Sequence, residues 1–287
     1  LDDEREPLAE PAYRDVDRWV LSRCGDVADT VETHMDEYRF DAALQELREF
    51  VWHDLADDYL ELIKGRLYEG RPGERGAARQ ALFTALSASL RMLSPFAPFL
   101  TEEAWQALPG TEGSVHAGSW PDLDFDDPEA EVAGELIADI ASTVRSWKSD
   151  QGMALNTELE RVEAYPDETP EAAVDTYDLS EAVSGPVHIR EGEPNVELVP
   201  VEVEPDHSTI GPEFRDRAGQ VVAALESMDP AEVREQQRYE EAVEVDIGEE
   251  VAVIPGDAVT VHEEHRAESG EEVTVLEGEH ATVLVYA

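Results

Sequence analysis

Apolar residues recur every three or four positions over the first ~125 residues, and this period fixes what the amino-terminal half can become. Val16, Val20, Cys24, Val27, Val31, Met35 and Tyr38 fall on one side of a helix. Phe40, Leu44, Leu47, Val51, Leu55, Tyr59 and Leu62 form a second stripe, and Leu82, Leu86, Leu90 and Leu93 a third. Pro95 and Pro98 bracket a tight turn; Thr101 reads as the N-cap of a short helix to Leu108, ended by Pro109-Gly110. After loop-like residues 109–128 a further helix is expected on Val132, Leu136, Ile140, Val144 and Trp147. Such helices with short connections pack as an antiparallel bundle.

Beyond Lys148 the period changes. Alternating or β-branched runs stand at 196–203, 243–247, 251–254, 258–262, 273–277 and 282–286, with helices expected at 171–183, 212–228 and 230–238. The expectation is a helical bundle over 1–128 followed by an α+β domain over 129–287. That second domain would close with an antiparallel meander turning at Gly248, Gly256, Gly270 and Gly278.

Charge sets the environment. The chain carries 68 acidic and 21 basic residues, a formal net charge of −47, and only Lys64 and Lys148 are lysines. A folded protein so charged repels itself in dilute buffer. In about 1 M salt the Debye length falls to ~3 Å and most of that repulsion is screened. The distribution therefore points to a cytoplasm of molar salt. It does not exclude RNA, because counterion release contributes little at that salt and stacking, hydrogen bonds and shape must carry binding. The single cysteine, Cys24, excludes an internal disulfide framework. No apolar run reaches the roughly 20 residues that span a bilayer, and the opening Leu1–Pro7 has no signal-peptide pattern, so no membrane partner is expected. A first residue that is not Met suggests a piece of a longer chain.

The reaction chemistries with short motifs are missing: there is no phosphate-cradling Gly-rich loop with Lys-Ser/Thr and no Gly-x-Ser-x-Gly elbow. His262-Glu263-Glu264-His265 resembles a metal site only in composition, since positions i and i+3 of a strand face opposite sides. Asp57-Asp58 reads as a solvated helix face. No catalytic or metal residue is expected.

Several segments together resemble the anticodon-binding region of class I aminoacyl-tRNA synthetases for branched aliphatic amino acids. They are Asp17-Arg18-Trp19-Val20-Leu21-Ser22-Arg23, Phe40-Asp41-Ala42-Ala43-Leu44, Phe50–Asp54 with Asp58–Leu67, Leu93–Trp105, and Ser114-Val115-His116 with Trp120-Pro121. Each alone is unspecific, whereas five in family order over residues 17–121 are specific. Trp147–Asn156 and Ser208–Arg215 are similar to segments of valyl enzymes, the latter to archaeal forms, so the resemblance is to a haloarchaeal valyl-tRNA synthetase. It implies a full enzyme that joins valine to tRNA with ATP and edits mischarged tRNA. The family's His-Ile-Gly-His and Lys-Met-Ser-Lys-Ser signatures are absent here. This stretch is thus expected to hold no cofactor and to do no catalysis, with ATP bound by the catalytic domain of the same polypeptide and tRNA as partner. The coiled-coil arm of bacterial valyl enzymes has no counterpart, and an α+β tail stands in its place. Alternatives are an isoleucyl or leucyl anticodon-binding region, or a non-catalytic helical module that binds protein.

Unpaired bases are read by stacking on aromatics or arginine and by hydrogen bonds at their edges. Arg23 is the first candidate, against a surface ion pair with Asp26 or Asp29. Phe40 offers a stacking face at the first helical turn-around or heads a core stripe; Trp19 stacks or packs. Lys64, Arg66, Arg71, Arg75 and Arg79 form a locally positive run suited to phosphates, against pairing with neighbouring acids. Trp52, Trp105 and Trp120 read as core.

Overall fold

Helix α1 (Asp15–Asp36) buries Val16, Val20, Cys24, Val27 and Val31, the stripe read from the sequence. Tyr38, in the left-handed region at φ 59°, reverses the chain into α2 (Phe40–Glu49). This helix widens into a π-helical stretch (Phe50–Tyr59) and resumes as α3 (Leu60–Leu62) and α4 (Lys64–Glu69). In the computed structural model the described residues are 12–239, 242–248 and 250–287; the opening Leu1–Pro7 segment lies outside them. Helix α5 (Pro72–Leu93) starts on a proline, whose fixed φ suits a first helical position. The Arg14–Glu74 pair at 3.2 Å ties the start of α1 to the start of α5.

Helix α6 (Pro98–Ala107) begins four residues earlier than expected, with Ala97 rather than Thr101 at the N-cap. Thr101 is buried inside it rather than capping it, and its hydroxyl donates to the Ala97 carbonyl at 3.0 Å. Helix α7 (Pro128–Asp150) is capped by Asp127, which accepts from the Ala130 amide at 3.0 Å. Two further links bind α7 to α1. The Asp127 amide donates to Ser22 Oγ, and that hydroxyl donates to Glu131.

Strand β1 (Arg161–Pro166), α8 (Tyr177–Val183) and β2 (Val187–Ile189) follow, and the first strand and β2 carry no clear signal in the sequence. Next come β3 (Val196–Pro205), α9 (His207–Phe214), α10 (Ala218–Glu226), α11 (Pro230–Tyr239), β4 (Ala242–Asp246), β5 (Val251–Pro255), β6 (Val259–Ala267), β7 (Thr274–Glu277) and β8 (Ala281–Tyr286). The strands do not form one meander. One sheet has the order β2-β1-β8-β7, with β1 parallel to β2 and antiparallel to β8, while β3–β6 and β4–β5 are separate antiparallel pairs.

The chain divides into Leu1–Glu193 with Leu276–Ala287, and Pro194–Val275. This division differs from the expected boundary near residue 128. The cause is β8, which returns as a neighbour of β1 and buries Val162, Val283 and Val285 in the same core as α1, α5 and α7. The second unit has its own core of Val203, Ile210, Val221, Leu225, Val233, Val243 and Ile254. In it Asp206 caps α9 by accepting from the Ser208 amide at 2.8 Å. Among the described residues no helix is long and apolar enough to cross a membrane.

Candidate nucleic-acid interface

The residues proposed from sequence separate into buried, paired and exposed groups. Arg66 is fully buried and makes no phosphate contact. Its Nη1 and Nη2 donate to the two oxygens of Asp17 at 2.8 Å each, and its Nε donates to Asp178 at 2.8 Å. Tyr59 donates its hydroxyl to the same Asp17 at 2.7 Å. Burial pulls the Arg66 pKa down, but the hydrogen bond and charge of Asp17 and the charge of Asp178 hold it above its ordinary value. Burial pushes Asp178 up to about 6, opposed by Arg66.

Trp19 is also buried and cannot stack on a base. It lies over Gly134, where a β-carbon would collide with the indole ring. Cys24 is buried beside it in the α1 stripe, and burial pushes its thiol up to about 12, so the thiolate is not formed at neutral pH.

Arg23 spans α1 to the α2 hairpin arm. Its Nε donates to Asp54 at 2.9 Å and an Nη to Glu46 at 3.1 Å, rather than to Asp26 or Asp29. Burial pulls its pKa down, and the charges and hydrogen bonds of Asp54 and Glu46 more than offset this. To touch a base, Arg23 has to leave two carboxylates that are themselves half-buried.

The remaining basic run keeps less than expected. Lys64 pairs with Glu61, and Arg75 donates to the Gly70 carbonyl at 2.8 Å. Arg71 and Arg79 are exposed; the Arg71 amide donates to Glu74 at 3.1 Å and its charge helps hold that carboxylate below its usual range, beside the Arg14 pair. Residues 71, 75 and 79 are four apart and share one face of the first turns of α5. Phe40 stands at the far end of α1, whose 22 residues span about 33 Å, so the proposed residues do not form a single platform.

What the α1–α2 turn does present is a set of unpaired ring faces. Tyr38 is 81% exposed and Phe40 48%, packed edge to face with centroids 6.1 Å apart. Leu44, Arg48 and Trp52 continue from Phe40 at steps of four, all exposed, Trp52 at 65%. Trp52 is thus a surface residue, not core. The helix instead buries Ala43, Leu47, Phe50, Leu55, Tyr59 and Leu62. The sequence reading merged two neighbouring stripes, with Phe40 and Leu44 on the exposed one and Leu47, Leu55, Tyr59 and Leu62 on the buried one. Trp105 is buried as expected, and Trp120 donates its indole N–H to the Ala28 carbonyl at 3.2 Å. In the second unit His262 hydrogen-bonds Glu204 at 2.7 Å, and His265 lies opposite Leu198 across the β3–β6 pair.

Residues 17–164, just over half of the chain, match the family described as the anticodon-binding domain of tRNA ligase. The chain belongs to that family. Among its relatives is the valine–tRNA ligase of Natronomonas pharaonis, 59% identical over 286 residues, which are 100% of this chain and 32% of that protein. The valine–tRNA ligase of Methanosarcina acetivorans is 40% identical over 251 residues, 87% of this chain and 28% of that protein. That of Archaeoglobus fulgidus is 39% identical over 236 residues, 82% of this chain and 27% of that protein. The chain spans about a third or less of the length of these relatives.

Proposed function

We propose that the chain binds tRNA as the anticodon-recognising part of a valine–tRNA ligase working in a cytoplasm of high salt. The rest of that ligase binds ATP, activates valine and edits mischarged tRNA. The observation that carries this reading is the likeness to the Natronomonas enzyme, which runs through the α+β region as well as the bundle. Geometry adds the means. The exposed rings of Tyr38, Phe40 and Trp52 offer stacking faces that need no net positive charge. Arg71 and Arg79 remain available to phosphates at the start of α5. Valine is preferred over isoleucine and leucine because the relatives named above are all valine enzymes.

The test is filter binding of the chain to tRNAs for valine, isoleucine and leucine in molar KCl. Tightest binding to the valine tRNA is expected. Equal binding to all three removes the valine assignment, and absence of binding favours a module that docks on protein.

A further inference from the structure

The arm that carries Trp52 is held in register from outside. At the end of the π-helical stretch the Leu60 amide bonds five residues back, to the Leu55 carbonyl. Three residues on, the Ile63 amide bonds four back, to the Tyr59 carbonyl at 3.0 Å. Between these two bonds the amides of Glu61 and Leu62 face the carbonyls of Ala56, Asp57 and Asp58. Two donors for three acceptors leave one carbonyl over where the wide turn returns to the narrow one. Arg145, on α7, supplies the missing donor. Its Nη1 donates to the Asp57 carbonyl at 2.9 Å and its Nη2 to Asp58 Oδ1 at 2.9 Å. We infer that Arg145 is a positioning residue, which holds the wide turns in register and so sets the Trp52 ring for RNA, an inference whose RNA half rests on the tRNA reading above.

A backbone carbonyl deprived of its donor is costly, and ordinary four-residue bonding throughout the arm would serve every carbonyl. Without the outside donor, the wide register therefore has a competitor. Passing from one to the other takes a residue out of the wide turns, and one residue of an α-helix is about 100° of rotation. The two ends of the arm cannot follow that rotation. Ala43, Leu47 and Phe50 on one side and Tyr59, Leu62 and Ile63 on the other are buried, and the Tyr59 hydroxyl is fixed to Asp17. The adjustment falls on residues 51–58. Trp52 is the large apolar side chain there that faces solvent.

The contacts of Arg145 differ in kind from those of Arg23, the other arginine on this arm. Arg23 reaches in from α1 and binds side chains alone, Asp54 and Glu46. Arg145 binds main chain and side chain together, from a helix anchored in the core by Ile137, Ile140, Ala141 and Val144. Its two contacts respond differently to the medium. Molar salt screens the ion pair with Asp58, whose partners are both partly exposed. The bond to the Asp57 carbonyl is a short charge-assisted hydrogen bond and survives that screening. Only this second contact acts on the backbone. Loss of the Asp58 carboxylate should therefore matter less to Trp52 than loss of the arginine.

The chain has five tryptophans, so 5-fluorotryptophan labelling gives five fluorine resonances, and W52F identifies that of Trp52. R145A, R145K and D58A are compared with the unaltered chain in molar KCl, by these spectra and by affinity for the valine tRNA. R145A should move the Trp52 resonance and weaken tRNA binding about tenfold. The resonances of Trp19, Trp105 and Trp120 should stay in place, which verifies the fold. R145K keeps a donor for the carbonyl and should recover most of both effects. D58A should leave Trp52 where it is. W52A combined with R145A should bind no more weakly than W52A by itself. A Trp52 resonance that stays put in R145A, or moves equally in D58A, overturns the inference, as does a shifted resonance with unchanged affinity. Each of these outcomes leaves the tRNA reading intact. That reading fails if the unaltered chain binds no tRNA, and the RNA half of the inference with it, while the spectra still decide whether Arg145 holds the wide turns.

Discussion

Arg66 lays its guanidinium along the carboxylate of Asp17, Nη1 to Oδ2 and Nη2 to Oδ1 at 2.8 Å each, with solvent reaching neither side chain. The same guanidinium reaches Asp178 through Nε, and Tyr59 closes the ring of contacts on Asp17. These four residues sit on α4, α1, α8 and the π-helical stretch, so one cation joins the bundle helices to α8, which follows β1. A cation in this position serves the fold.

Replacing Arg66 with alanine strands Asp17 and Asp178 without their cation in the core. Breaking a buried pair from one side typically costs about 3–5 kcal/mol. Urea unfolding of R66A in molar KCl should show a loss of that size, and R66K a smaller one, since lysine restores charge without the fork. A loss below about 1 kcal/mol for R66A would mean the network carries little of the fold.

Asp178 gives the network a pH signature. Burial and the neighbouring Asp17 raise its folded-state pKa to about 6, against Arg66, from an ordinary value near 4. Between those values the folded chain holds a proton that the unfolded chain has released. Stability from this group therefore falls as pH rises from about 4 to about 6 and is flat above, a loss on the order of 2–3 kcal/mol. An asparagine still accepts from Arg66 and does not titrate. The difference in unfolding free energy between the chain and D178N should thus slope across pH 4–6. Parallel curves would place the proton elsewhere.

Gly134 tests how closely α7 lies on α1. A β-carbon there would meet Trp19, a rigid ring held between helices. G134A improves intrinsic helix propensity yet overpacks this contact, which typically costs about 1–3 kcal/mol. A lower thermal midpoint is expected, recovered in part by adding W19L. If G134A raises the midpoint, the helices have room to part.

The helices were legible because their stripes are local; which faces they bury was less so. Helix α5 was read from Leu82, Leu86, Leu90 and Leu93; Leu90 is buried and Leu82 and Leu93 pack against the core, but most of the fully buried face is Ala77, Ala78, Ala81, Ala85 and Ala88. Alanine marks no stripe in a sequence, and only a close helix partner gives it a reason to be there. Arg66 looked like part of a basic run because its partners lie 49 and 112 positions away. The boundary misplaced near 128 has the same origin, since β8 pairs with β1 across more than a hundred residues. Long-range pairing hid these features, whereas the motifs at 17–121 pointed to the family without it.

The exposed rings separate binding from folding. Trp52 and Phe40 touch little of the core, so W52A and F40A should change unfolding free energy by no more than about 0.5 kcal/mol. If bases stack there, each should lower tRNA affinity in molar KCl by about 1–3 kcal/mol. Filter binding beside urea unfolding reads both quantities. Unchanged affinity with unchanged stability would leave the α2 face without a role in RNA binding and move the search to the ridge of Arg71 and Arg79.

Salt should act on the surface charge and leave the buried network alone. At a net charge of −47 the folded chain is opposed by its own repulsion. That repulsion reaches about 10 Å in 0.1 M salt and about 3 Å at 1 M. The thermal midpoint should therefore climb steeply between 0.1 and 1 M KCl and flatten beyond, as the screening length drops below the spacing of surface carboxylates. Ions cannot reach Arg66, Asp17 and Asp178, so the deficit of R66A relative to the unaltered chain should stay constant along the same salt series. A midpoint that ignores salt would mean the acidic surface is not a folding burden. A deficit that shrinks as salt is added would mean the Arg66 network opens to solvent.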